Sequence, residues 1–162
     1  MTAELQIYFS ASISGGRADA SLYAELISAL SVHGRVLTEH IGSPDLSDGG
    51  EDGPPDHDIY VRDMAWLHDA DLVIAEVTTP SLGVGYEVAW AARSGKPVVC
   101  LFRPETGRRL SAMIRGNPAV RVLEYEGTDA PAEVAARAMA FSGARAGGRT
   151  DDARRSGGGQ ST

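Results

Sequence analysis

Disulfide-forming cysteines, long apolar runs and an excess of basic charge are all missing from this chain, and each absence excludes something. The single cysteine, Cys100, rules out a disulfide within the chain and favours a reducing compartment. Set in the apolar run from Pro97 to Phe102, it reads as a small buried core residue. No segment approaches the roughly 20 apolar residues of a membrane-spanning helix. The N-terminus also lacks a basic stretch followed by an apolar one. A soluble, cytoplasmic protein with no membrane partner is therefore expected. Lys and Arg number 15 against 22 Asp and Glu, a formal charge of −7. Residues 144–162 hold four Arg and two Asp, so taking out that +2 leaves the body at −9. So acidic a body is a poor partner for a nucleic-acid polymer, whose affinity comes largely from basic groups on phosphates. A single small nucleotide remains open, because one phosphate needs only a local nest of donors.

Several catalytic and cofactor motifs are absent as well. There is no GxGxxG dinucleotide fingerprint, no GxxxxGK-Ser/Thr loop and no GxSxG elbow. His33, His40, His57 and His68 are not at zinc spacing, and no acidic cluster resembles a calcium loop. No metal and no cofactor are expected.

What is present is an alternation. At 162 residues and 43% hydrophobic content, the chain is sized for one domain with one real core. Residues 144–162 contain no aliphatic side chain larger than alanine, which predicts a disordered Gly/Arg/Ser tail behind a domain of residues 1–143. Apolar runs at Leu5–Phe9, Arg35–His40, Asp71–Glu76, Pro97–Phe102 and Val120–Tyr125 read as strands. Helical patterns fall between and after them, at Ala18–Val32, Asp58–Asp69, Tyr86–Arg93, Leu110–Ile114 and Ala130–Phe141. The run Leu72–Ala75 is continuously apolar, as a strand covered on both faces should be. The expected fold is α/β: a single-domain, Rossmann-like (flavodoxin-like), doubly wound five-stranded parallel sheet with helices on both faces. Four loops would then converge beyond the carboxyl ends of the strands, at Ser10–Arg17, from His40 onward, at Thr78–Glu87 and at Arg103–Arg108.

Two carboxylates stand out there. Glu87 closes the run Pro80-Ser81-Leu82-Gly83-Val84-Gly85-Tyr86-Glu87, where a buried strand gives way to a Gly-containing loop and a helix. Such a junction offers backbone N–H groups to a phosphate, and a positive helix end would help keep a nearby carboxylate ionised for nucleophilic attack. Asp63 falls on the apolar stripe of Ile59, Trp66, Leu67 and Ala70. An aspartate on that stripe needs a partner or a proton; desolvation would raise its pKa, as a general acid requires. An Asp that caps a loop or pairs with an arginine fits the pattern equally well. Two carboxylates in different surroundings are the standard equipment for breaking a glycosidic bond. Tyr8 could hold Glu87 through its hydroxyl, His40 is expected to line a base pocket, and the loop Ser10, Ala11, Ser12, Ile13, Ser14, Gly15, Gly16 and Arg17 could hold one phosphate.

These residues carry a resemblance. Tyr8-Phe9 with Ser12-Ile13 and Gly15-Gly16-Arg17, Leu37-Thr38-Glu39-His40, Asp63 with Trp66-Leu67, the Ala75–Thr78 and Pro80–Glu87 runs, Cys100–Pro104 and Leu110–Gly116 resemble the 2′-deoxynucleoside 5′-monophosphate N-hydrolases, within the nucleoside 2-deoxyribosyltransferase superfamily. The resemblance implies hydrolysis of a deoxynucleoside monophosphate to free base and 2-deoxyribose 5-phosphate. It implies Glu87 as the nucleophile of a covalent glycosyl-enzyme, Asp63 as the acid that assists the leaving base, and Tyr8 as the residue that positions sugar and nucleophile. Ser81, Gly83 and the Ser12–Gly16 loop would hold the 5′-phosphate, with Met113 also at the substrate. Ser111 would reach it from the second subunit of a homodimer. Mammalian members carry an arginine where this chain has Ser14, a change that would loosen the demand for a 5′-phosphate unless Arg17 or Arg115 compensates. A deoxyribosyltransferase, a CMP-type ribonucleotide N-hydrolase and a non-catalytic nucleotide-binding module are the alternatives.

Overall fold

A computed structural model of the chain describes residues 3–13, 19–43, 45–47, 51 and 53–143. The expected phosphate-loop residues Ser14, Gly15, Gly16 and Arg17, and the expected tail 144–162, lie outside them. Five parallel strands, β1 (Gln6–Ala11), β2 (Arg35–Val36), β3 (Leu72–Glu76), β4 (Val98–Phe102) and β5 (Arg121–Glu124), form one sheet in the order β2-β1-β3-β4-β5. Five helices cover it: α1 (Ala20–Leu30), α2 (Asp56–Asp69), α3 (Leu82–Arg93), α4 (Ala112–Arg115) and α5 (Pro131–Ser142). This is the expected doubly wound α/β fold. Its strand order reverses between β1 and β3, the place where such sheets bind ligands.

Strand periodicity explains the two-sided cover. Successive strand residues point to opposite faces. Ile7, Phe9, Ile74, Val99 and Leu101 therefore join Tyr23, Leu26, Leu30, Val134 and Ala138 from α1 and α5 in one core. Tyr8, Val73, Ala75, Val98 and Cys100 join Leu67, Val84, Val88 and Ala91 from α2 and α3 in the other. The turn between α1 and β2 passes so close to β1 that a Cβ on Gly34 would stand 2.4 Å from the Leu5 carbonyl oxygen. Only a glycine lets that backbone approach.

Besides shifts at other ends, such as β1 running on through Ser10 and Ala11, which were expected as loop, two elements differ from the expectation in ways that shape the site. The second strand stops at Val36 instead of reaching His40. Leu37 N still donates to Ile7 O at 2.8 Å, but at the next step a side chain replaces the backbone. Thr38 Oγ1 accepts from Phe9 N at 2.9 Å and donates to Phe9 O at 2.7 Å. The main chain is thereby released into a 3₁₀ turn at Glu39–Gly42. The third helix begins at Leu82 rather than Tyr86, because Ser81 serves as its N-cap and accepts from Val84 N at 3.4 Å. Gly83 and Gly85, which suggest a loop by composition, form its opening turns.

Candidate active site

The site is built at the β1/β3 reversal. Tyr8 is the third residue of β1, and its Oη donates to Glu87 Oε1 at 2.8 Å. Two positions on, and so on the same face of the strand, the buried Ser10 donates to Glu87 Oε2. Glu87 is the sixth residue of α3, beyond the first turn where a helix end exerts its field. The expectation that the helix terminus keeps this carboxylate ionised therefore does not hold. Burial pushes the Glu87 carboxyl above its ordinary range, the Ser10 and Tyr8 hydrogen bonds pull it back, and the Asp63 charge adds to the rise. Tyr8 itself is driven far upward by burial and by the charges of Glu87 and Asp63, so its phenol remains a donor.

Tyr8 and Glu87 open on a cavity of about 250 Å³ that Ile13, His40, Asp63, Ser81 and Gly83 also line. Seven of the expected site residues thus meet in one place. A Cβ on Gly83 would meet nothing nearer than Ser81 Oγ at 3.8 Å, so the start of α3 presents bare backbone to open space. Ser12 is fully buried and does not line this cavity. Ser111 and Met113 line a neighbouring, mostly apolar cavity of about 280 Å³ instead, which shares Ser81 and Val84 with the first.

Asp63 is offset by a partner. Arg62 Nε and Nη2 donate to its Oδ1 at 2.9 and 2.7 Å. The same guanidinium makes a bidentate pair with Glu51, at 2.7 Å for each contact, and stacks 4.7 Å from the Trp66 ring centroid. Glu51 is held below the ordinary carboxylate range chiefly by that pairing. Its Oε1 also lies 2.8 Å from His40 Nε2. Burial pushes His40 downward against the pull of Glu51, and its ring centroid lies 5.6 Å from that of Trp66.

A second polar cluster lies under the carboxyl ends of β3, β4 and β5. Glu76, with no exposed surface, accepts from Thr78 Oγ1 at 2.5 Å and Tyr125 Oη at 3.1 Å. Thr78 Oγ1 accepts in turn from Arg103 N at 3.0 Å, and Arg103 Nη2 reaches Asp19 Oδ2 at 2.5 Å, at the foot of α1. Burial pushes the Glu76 carboxyl upward, opposed first by the Thr78 hydroxyl. This cluster fixes the Thr78 segment that leads to the Ser81 cap.

Glu51, Arg62 and Glu76 were not singled out from the sequence. Ser10, expected in the phosphate loop, lies instead in β1 and bonds Glu87, a place its strand parity with Tyr8 could have revealed. Glu76, a charge closing an apolar strand, gave a signal too. Glu51 sits in a polar loop with no periodicity, and nothing there points to it. Among the described residues no group of three or more His, Cys, Asp or Glu could hold a metal ion. No described helix is long and apolar enough to cross a membrane.

Comparison with known proteins adds a family to this geometry. The family model described as nucleoside 2-deoxyribosyltransferase matches residues 7–133, from β1 into α5. The chain is 55% identical over 111 residues to the 5-hydroxymethyl-dUMP N-hydrolase of Mus musculus, across 68% of this chain and 64% of the mouse protein. To the proteins of the same name from Danio rerio and Homo sapiens it is 48% identical, over 125 and 124 residues. Those matches cover 75% and 74% of this chain and 87% and 71% of the relatives. A match that runs through the whole sheet and takes in both carboxylates leaves no other assignment: the chain belongs to the nucleoside 2-deoxyribosyltransferase family.

Proposed function

We propose that this protein hydrolyses the N-glycosidic bond of 2′-deoxynucleoside 5′-monophosphates, releasing free base and 2-deoxyribose 5-phosphate. One observation carries the reading: Glu87, gripped by two hydroxyl donors, lines the same cavity as Asp63. A carboxylate so held and oriented suits a nucleophile, and a second carboxyl group suits proton transfer. In the first step a Glu87 oxygen bonds to C1′ as the C1′–N bond breaks. The electron pair leaves with the base, which takes a proton from Asp63. In the second step water bonds to C1′, the ester C–O bond breaks, its electron pair returns to Glu87, and Asp63 takes the proton from water. Both Arg62 contacts fall on Asp63 Oδ1, which leaves Oδ2 to face the base.

Ser81 and Gly83, at the capped start of α3, suit the 5′-phosphate, since unpaired amides and the helix dipole favour an anion there. His40 and Ile59, which also line the cavity, suit the base. A 2′-hydroxyl would crowd the buried Tyr8–Glu87 pair, which favours deoxy substrates. The relatives' named substrate, 5-hydroxymethyl-dUMP, contains the same scissile bond and belongs in any panel. Ser111 contributes from a second copy in a homodimer. That arrangement is supported by the exposure of Leu82 (97%) and Met113 (82%) beside the apolar cavity that Ser111 lines.

The test is release of base from deoxynucleotides, 5-hydroxymethyl-dUMP included, from ribonucleotides and from deoxynucleosides, beside Glu87→Ala. Cleavage confined to the deoxynucleotides and abolished by the substitution is expected. Base exchange that needs an added acceptor base and no 5′-phosphate would replace hydrolysis with transfer, the reaction the family is named for.

A further inference from the structure

Ser10 takes no part in the bond changes above, yet it makes the second contact to the nucleophile. Tyr8 and Ser10 are alternate residues of β1, and the pleat turns both toward α3. Tyr8 Oη donates to Glu87 Oε1 and Ser10 Oγ to Oε2, so the two hydroxyls occupy opposite oxygens of one carboxylate. Their settings differ. Tyr8 and Glu87 line the cavity, whereas Ser10, as deeply buried as Tyr8 at 1% exposure, does not. Oε1 is thus bonded to a group that lines the cavity, and Oε2 to one that does not.

On the glycosidic reading of this site, we propose that Ser10 is a positioning residue: it fixes Oε2 against β1, makes Oε1 the oxygen that attacks C1′, and stabilises the Glu87 carboxylate as the ester is cleaved. When Oε1 bonds to C1′, Oε2 becomes the ester carbonyl and retains the Ser10 hydrogen bond. When water displaces Oε1, the electron pair of the C1′–Oε1 bond restores the carboxylate. A hydroxyl bonds more strongly to that anion than to the neutral carbonyl, so Ser10 makes Glu87 a better leaving group. The surroundings create the need for such help. Among the described residues, the groups facing Glu87 are Tyr8 and Ser10 from β1 and Asp63 from α2, with Arg62 bound to Asp63. None of them places a cation on Glu87, and the Ser10 bond offsets its burial more than any other contact does.

The experiment compares wild type with Ser10→Ala, Ser10→Thr and Ser10→Cys. In Ser10→Ala, ester hydrolysis should slow by about 10- to 100-fold, the range for loss of a hydrogen bond to a charged group. The covalent deoxyribosyl-enzyme should then accumulate in acid-quenched samples read by intact mass spectrometry. The acid limb of kcat/KM should move to higher pH. Ser10→Thr keeps the hydroxyl and should restore both properties, while Ser10→Cys, a weak donor that fills the same space, should fall between. An Ala variant with an unshifted acid limb and no accumulated ester overturns the proposal. A carboxyl ¹³C titration of Glu87 in the folded protein separates this result from failure of the functional reading. If wild type releases no base from any nucleotide, the hydrolase reading falls. The titration then still reads the contact, and an equal midpoint in wild type and Ser10→Ala sinks the role of Ser10.

Discussion

Tyr8 Oη and Glu87 Oε1, 79 positions apart in the chain, are joined by a 2.8 Å hydrogen bond between the first strand and the third helix. That bond ties the nucleophile candidate to the strand beside the sheet's reversal, and burial keeps the phenol protonated and so able to donate. Tyr8→Phe should therefore lower kcat for base release by about 10- to 100-fold, as expected for losing a hydrogen bond to a charged group. Nucleotide affinity, measured on a catalytically dead Glu87→Ala background, should change little. A Phe variant that turns over at the wild-type rate would remove Tyr8 from the site's machinery.

Glu87 trades stability for its position. Burial raises its folded-state pKa above the ordinary value of 4.5, so the folded protein holds this proton more tightly than the unfolded chain. Its favourable contribution is complete below the ordinary value and is lost as pH rises through the raised one. Glu87→Gln is uncharged at every pH. Its Tm should exceed that of wild type near neutral pH, and the gap should shrink as pH falls toward the ordinary carboxylate range. A gap that widens on acidification would contradict the sign.

Asp63 is tested through the leaving group. On dGMP, Asp63→Asn should cost about 10²- to 10⁴-fold in kcat/KM, the usual worth of a positioned acid or base. On 7-methyl-dGMP, whose base is already cationic and departs without a proton, the loss should be several-fold smaller. Equal losses on both substrates would assign Asp63 to binding instead.

Leu82 and Met113 carry the prediction for assembly. A charge at Leu82, 97% exposed in the single chain, costs little in a monomer and much in an apolar interface. Wild type should run as a dimer in sedimentation, and Leu82→Glu should dissociate it with a fall in turnover that tracks the monomer fraction. A wild-type monomer with full activity would end the two-copy reading of Ser111.

Thr78 tests the cluster under the sheet. Its hydroxyl donates to the buried Glu76 and accepts from Arg103 N. Thr78→Val keeps the shape and removes both bonds, which should destabilise the protein by about 1–3 kcal/mol in urea unfolding. A change below about 0.5 kcal/mol would mean that the cluster is satisfied without it.

The parallel sheet and the place of the site were legible because they rest on periodicity: apolar β3 and β4, and the helical stripe of α2, print their faces in the chain. Glu87, Asp63, Tyr8, His40, Ser81 and Gly83 converge as their positions imply. What escaped depends on single side chains doing the work of backbone. The Ser81 cap moved the start of α3 ahead of two glycines, and with it removed the helix end from Glu87. Arg62, one position from Asp63, reads as a solvated face until Glu51 arrives from a loop without pattern.

Beyond Val36 the outer side of β1 has no neighbouring strand among the described residues. Bare amide and carbonyl groups on such an edge are a template for a strand from another molecule. Thr38 Oγ1 already occupies both Phe9 groups there, as acceptor for one and donor to the other. An incoming strand would have to displace this buried hydroxyl before it could pair at that position. The residue that ends β2 therefore also guards the sheet against growth, and leaves the chain free to turn His40 toward the cavity without opening a route to aggregation beside it.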